Sequence, residues 1–129
     1  LGISQLNRLD SSVAQRNEIA SRYDEALKDL PIEKIITLEG NYSARHLYVI
    51  RVSKKNRLKI FNGLRDEAIQ VNLHYMPVHL QPYYRKLGFS EGDFPESEKH
   101  GSEAISLPLY PSLLKEDQEH VIATLKKIV

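Results

Sequence analysis

The sequence predicts an α+β (α/β) fold, a small mixed sheet covered by helices, organised as one domain over residues 1–129. Three observations point there: an apolar helical stripe along residues 3–30, a run dense in β-branched and aromatic residues at 46–52, and an amphipathic C-terminal segment. A chain of this size typically buries roughly 65–70% of its unfolded surface, so it can build a core. Hydrophobic residues make up 41% and charged residues 27%, which is too apolar for disorder.

The elements follow in order. Leu6, Val13, Ala20 and Leu27 recur every seven residues, with Leu9, Tyr23 and Leu30 on the neighbouring row. They predict one helix over 3–30, about 40 Å long. Pro31 stops it, because proline has no N–H to donate and disfavours helical geometry at Leu30. Residues 34–39 predict a short strand, Gly40 and Asn41 a turn, and 46–52 a well-buried strand. Leu58, Phe61, Leu64 and Ala68 predict an amphipathic helix over 53–68. Ile69, Val71, Leu73 and Tyr75 alternate with Gln70, Asn72 and His74, the pattern of a strand with one apolar face. Between 75 and 94 the prolines and glycines leave room for only a short helix near 83–86. Pro95 with Glu96 and Glu98 opens a helix to about 104. Residues 105–109 form a brief strand that Pro108 confines to an edge or an end. A last helix runs from 115, its early Glu116 and Asp117 and late Lys126 and Lys127 matching the macrodipole.

Composition excludes several classes of function. The 18 Lys and Arg nearly balance 17 Asp and Glu, leaving +1 and no global field for nucleic acid or an anionic membrane. With no cysteine there is no disulfide, thiolate nucleophile or thiolate metal site. No apolar run is long enough to span a bilayer and no secretory signal is visible, so the cytoplasm is the expected compartment. The chain starts at Leu1 and its only methionine is Met76, so we expect a processed chain or part of a larger one.

Residues 72–84, Asn72-Leu-His-Tyr-Met-Pro-Val-His-Leu-Gln-Pro-Tyr-Tyr84, carry most of the chemistry. Two imidazoles, three phenols and two amides follow a strand, and strand ends in α/β architectures are where ligands sit. His74 on the polar face would look into a cleft, and the prolines would stiffen the loop holding His79 and Gln81. A hydrogen-bonded surface loop with satisfied histidines explains the same residues. A metal pair of His74 and His79 lacks both the His-Glu-x-x-His pattern and an intervening carboxylate. No Gly-x-Ser-x-Gly elbow and no glycine-rich phosphate loop occurs. Arg51, Lys54, Lys55, Arg57 and Lys59 read as a solvated helix face rather than a phosphate site. His100 and His120 read as surface residues.

The tract from His74 to Tyr84, with Gly92-Asp-Phe-Pro95 and Ile105-Ser-Leu-Pro-Leu-Tyr-Pro111, resembles the C-terminal part of the DegT/DnrJ/StrS aminotransferases. These are pyridoxal-phosphate enzymes that aminate keto-sugars carried on nucleotides. Leu1-Gly-Ile-Ser-Gln-Leu-Asn-Arg-Leu-Asp10 resembles the helix entering the family's small domain, and Ser43-Ala-Arg-His-Leu-Tyr48 its "His-Leu-Tyr" strand. The tract from His74 to Pro111 is most similar to the branch making a 4-amino-4,6-dideoxy sugar for pseudaminic acid.

The resemblance implies the small C-terminal domain of a fold-type I transferase, a homodimeric parent and a nucleotide-sugar substrate. It places the Schiff-base lysine, the aspartate facing the pyridine nitrogen and the phosphate-gripping groups in a large domain ahead of Leu1. No catalytic, cofactor-binding or metal residue is therefore assigned here, and pyridoxal phosphate is expected in the parent but not on this fragment. Carried over residue by residue, Asn72 and His74 would offer hydrogen bonds to substrate, Tyr75 a ring face or hydroxyl, and Leu73 backbone groups. His79 and Tyr84 would add contacts from the adjoining loop. Two departures affect boundaries: Asp66-Glu-Ala68 replaces a small-residue turn, and Leu114 stands where a Ser, Thr or Asp cap is usual. Ile3, Leu6 and Leu9 are expected to be exposed on a surface covered in the parent. A stand-alone nucleotide- or sugar-binding module, or a structural domain without a ligand, remain the alternatives to an enzyme part.

Overall fold

The computed structural model describes residues 2–129. Its elements are α1 (Gly2–Leu6), α2 (Leu9–Ala26), β1 (Glu33–Lys34), β2 (Tyr48–Arg51), α3 (Lys54–Asp66), α4 (Pro82–Lys86), α5 (Pro95–Glu103), β3 (Ala104–Leu107) and α6 (Lys115–Ile128). A 3-10 turn at Val78–Leu80 precedes α4. The strands form one sheet with β2 in the middle, pairing Glu33 with Arg51 on one side and Tyr48 with Leu107 on the other. The helix-plus-small-sheet class is the one expected, but the sheet is antiparallel in both pairings rather than mixed. The reason is local: α5 leads straight into β3 and delivers it against the direction of β2.

The single N-terminal helix is not observed. The chain breaks at Asn7 and Arg8, and α2, about 27 Å long by its residue count, ends at Ala26. Among the described residues, α1 buries none of its side chains, and Ile3, Leu6 and Leu9 are exposed as expected. Only the later part of the stripe, Ile19, Ala20, Tyr23 and Leu27, enters the core. Tertiary packing supplies most helical stability, so a stripe without a neighbour does not hold one continuous helix.

Other boundaries move for similar reasons. The strand expected over 34–39 is only Glu33–Lys34, and Ile35, Ile36 and Leu38 lie exposed on an excursion that leaves the sheet. Gly40 makes its turn at φ +79, with Asn41 N–H donating to Leu38 O. The buried face of α3 is Ile60 and Leu64, not Leu58 and Ala68. Leu58 points to solvent, and Ala68 lies past the helix at φ +61. Residues 69–75 keep the expected alternation, with Ile69 and Val71 buried, but form no full strand: one antiparallel bridge joins Asn72 to Ser106. Tyr75 leaves the apolar face and is 72% exposed. α6 begins at Lys115 with no side-chain cap from Leu114.

The core lies between the sheet and helices α2, α3 and α6 around Tyr23, Leu27, Ile50, Leu64, Ile105 and Leu125. Gly63 of α3 lets Ile128 of α6 approach closely, a Cβ there standing 3.3 Å from Ile128 Cδ1. Gln118 is the polar exception. It is 1% exposed, its Nε2 donates to Ile19 O at 2.8 Å, and its Oε1 accepts from Arg22 Nε at 2.7 Å. It thereby stitches α6 to α2. Gln118→Leu keeps the volume and leaves a cationic donor unpaired, so a loss of about 1–3 kcal/mol is expected in urea unfolding. An unchanged midpoint would remove Gln118 from the account of how these helices dock.

Candidate functional site

A cleft of about 560 Å³ lies between the excursion after β1 and the residues His74, Tyr75 and His100. Both of its walls are held by identifiable contacts. On one side, α2 pins the excursion. Asn17 Nδ2 donates to Ser43 O at 2.9 Å, and Ser43 Oγ accepts the Arg45 N–H at 3.1 Å. Arg45 takes a left-handed backbone conformation, φ +49. Asp24 Oδ1 accepts the Tyr48 hydroxyl at 2.7 Å, and Lys34 Nζ donates to the Asp24 carbonyl at 2.8 Å. Burial, then the Asp24 hydrogen bond, pushes the Tyr48 phenol far above its ordinary range, so it stays a neutral donor.

On the other side, β3 holds His74. Asn72 and Ser106 exchange both backbone hydrogen bonds, at 3.2 and 2.8 Å, and two residues on, His74 Nδ1 lies 2.8 Å from Ser106 Oγ. Tyr75 stands edge-on to the His74 ring at 4.6 Å, and the peptide bond joining them is cis. α5 presses against the chain just beyond. A Cβ at Gly101 would stand 2.8 Å from Pro77 Cδ and 3.2 Å from Tyr75 O.

Of the six residues expected at the substrate, His74 and Tyr75 line this cleft. His74 looks into it as expected, half-buried and hydrogen-bonded to Ser106. Asn72 is exposed, and its Oδ1 accepts the N–H of Leu73, itself half-buried against the core. His79 and Tyr84 sit apart, in an aromatic hollow of about 310 Å³ with Phe89 and Phe94. His79 is 7% exposed, with Nε2 2.9 Å from Glu98 Oε1 and its ring 4.8 Å from Phe94. The same Glu98 oxygen accepts N–H groups of Gly92 and Phe94. His79 is thus turned inward to fasten a loop.

Sequence reasoning missed Lys34, Arg45, His46 and His100, which also line the cleft beside the apolar residues of the excursion. An irregular excursion has no periodicity to reveal which side chains it turns inward, and His100, read as a surface residue, is half-buried. In the basic cluster, Lys54, Lys55 and Lys59 are exposed as expected, whereas Arg51 pairs with Glu103 at 2.6 Å and Glu33 at 3.1 Å. Among the described residues no three His, Asp or Glu side chains gather as a metal set.

Two predictions follow from these contacts. Alanine usually gains about 1 kcal/mol over glycine inside a helix. At Gly101 overpacking against a proline ring and a carbonyl costs about 1–3 kcal/mol, so Gly101→Ala should destabilise the protein in urea. A stability gain would show that α5 does not press on this segment. Secondly, the hydrogen bond from His79, aided by the Gly92 N–H, holds the Glu98 carboxyl below the ordinary glutamate range. A lowered carboxylate contributes stability that is present above its unfolded-state value and is lost as pH falls through the folded one. The melting-temperature difference between wild type and Glu98→Gln should be present at neutral pH and shrink below about pH 4. A difference independent of pH would contradict it.

The model of the DegT/DnrJ/EryC1/StrS aminotransferase family matches residues 1–126. The spore coat polysaccharide biosynthesis protein SpsC of Bacillus subtilis (strain 168) is 39% identical over 137 residues, covering 100% of this chain and 35% of that protein. Spr1654 from Streptococcus pneumoniae, solved in apo, PLP and PMP forms, superposes with TM-score 0.92 at 32% identity, over 98% of this chain and 33% of its own. Helicobacter pylori PseC, an aminotransferase involved in the biosynthesis of pseudoaminic acid, superposes with TM-score 0.87 at 27% identity, over 98% of this chain and 35% of its own. The chain spans about a third of the length of the curated relatives it matches.

Proposed function

The chain belongs to the DegT/DnrJ/EryC1/StrS aminotransferase family, and on that premise we propose that it forms one wall of the substrate cleft of a sugar aminotransferase. The substrate class is a nucleotide-linked keto-sugar. The parent is a homodimer acting in the cytoplasm, and its amino-transfer chemistry is carried by residues outside this chain.

The observation that supports this reading best is the presentation of His74 and Tyr75 at the cleft. With Nδ1 engaged by Ser106, His74 has an Nε2 that makes no hydrogen bond within the described residues. Either tautomer offers that nitrogen to a sugar hydroxyl, as acceptor or as donor. Tyr75 offers a ring face and a phenol without being needed by the core, since it is largely exposed. Rigid placement by β3 reduces the ordering cost of binding.

Pyridoxal phosphate, when bound in the parent, supplies the electron sink for transamination. The residues of this chain do not fit as its holder. Every described lysine but Lys34 is exposed, and the Lys34 ammonium is engaged by the Asp24 carbonyl. No step of the reaction is assigned to a lysine here. What the chain does is bind and orient: His74 and Tyr75 hold the sugar, and the pinned excursion closes the far side.

In the whole enzyme, Tyr75→Ala should raise KM for the nucleotide-sugar about tenfold while leaving KM for the amino donor and the melting temperature unchanged. The 129-residue chain alone, mixed with pyridoxal phosphate and borohydride, should yield no stoichiometric adduct at a single lysine. A Tyr75 variant with normal sugar KM would overturn the cleft assignment, and one specifically modified lysine would overturn the division of labour.

A further inference from the structure

The charge pattern of the cleft goes beyond what sugar hydroxyls require. Lys34 and Arg45 both line it, with the imidazoles of His46, His74 and His100, and no carboxylate belongs to that lining. The counter-charge behind the two cations is a single carboxylate on α2. Asp24 lies 3.8 Å from Lys34 Nζ and 3.9 Å from Arg45 Nη2, and one of its oxygens already accepts from the Tyr48 hydroxyl. Two cations against one carboxylate leave one positive charge on this wall.

Arg45 is the more informative of the pair. Its side chain is only 19% exposed, and its ion pair to Asp24 is longer than a hydrogen bond. Its Nε is buried without a partner. Buried polar groups are ordinarily satisfied, and an unpaired donor on a guanidinium is the costly case. The backbone behind it is fixed from both directions, by its own N–H on Ser43 Oγ and by Asn17 on the Ser43 carbonyl. A half-buried guanidinium on a held backbone, whose side chain makes no hydrogen bond among the described residues, is suited to an oxyanion, which its planar fork binds in two-pronged fashion.

We propose that Arg45 and Lys34 form an oxyanion subsite of this cleft, receiving a negatively charged group of a substrate. Two groups share that chemistry, a phosphoryl group of the nucleotide moiety and the carboxylate of an amino donor. The inference rests on the cleft reading above, but its test uses small anions and no turnover, so it fails independently of the Tyr75 effect on sugar KM.

The test is isothermal titration of the 129-residue chain at low ionic strength with inorganic pyrophosphate and, separately, with L-glutamate. One of the two should bind saturably, pyrophosphate assigning the subsite to the nucleotide and glutamate to the donor. Arg45→Gln should weaken that binding about tenfold at unchanged melting temperature. Lys34→Gln gives an independent reading from the other cation. Asp24→Asn keeps an acceptor for Tyr48 and removes the counter-charge, so it should tighten binding, an effect a purely structural Arg45 would not produce. Absence of saturable binding by both anions, or binding that Arg45→Gln and Lys34→Gln leave unchanged, overturns the proposal.

Discussion

One antiparallel bridge, Asn72 to Ser106, determines where the chain leaves the core. Side chains alternate along extended backbone, so a slip of one residue would exchange the faces of everything that follows. With Asn72 opposite Ser106, Ile69 and Val71 point inward and His74 returns to Ser106 with its ring against the hydroxyl. The placement of Tyr75 follows from that of His74. Gly101 then allows α5 to close over Pro77 with no Cβ in the way. The chemical wall of the cleft is thus a consequence of sheet register rather than of a free surface loop.

The opposite wall is built from polar contacts, and magnitudes say what those contacts do. The Asp24 carboxylate stands 3.8 Å from Lys34 Nζ and 3.9 Å from Arg45 Nη2, too far for a hydrogen bond, so these partly buried ion pairs are not the main source of stability. Burial of Tyr23, Ile50, Leu64, Ile105 and Leu125 carries that load. The polar groups instead fix position: Asn17 and Asp24 project from α2, the helix that the core anchors through Ile19 and Tyr23. His79 and Glu98 fasten the loop between α4 and α5 in the same way, Glu98 also accepting the N–H groups of Gly92 and Phe94. Two histidines five residues apart therefore do different work, one facing a cleft and one closing a loop.

Elements whose signals are local could be read from the amino acids. Pro95 opens α5 where expected, and Val121 with Leu125 marks the buried face of α6. What depended on distant partners could not. The heptad stripe from Leu6 to Leu27 shows which face is apolar but not whether anything covers it, and its first turns are uncovered. The same holds for Leu58 against Ile60 on α3. In the tract 72–84, spacing treated His74 and His79 alike, because Ser106 and Glu98, which separate their roles, lie 32 and 19 residues away. Arg45 lies in the Ser43–Tyr48 motif, yet only the fold brings it to the same cleft as His74.

β3, through Ser106, organises the wall that we propose binds the substrate. The most direct measurement is backbone amide chemical-shift mapping during titration of the chain with a nucleotide-linked sugar, for wild type and Ser106→Ala. Perturbations should concentrate at His74, Tyr75 and the excursion around Arg45, and should weaken and spread in the Ser106 variant while its amide spectrum remains folded. Perturbations confined to Tyr84, Phe89 and Phe94, or a Ser106 variant that binds as wild type does, would contradict it.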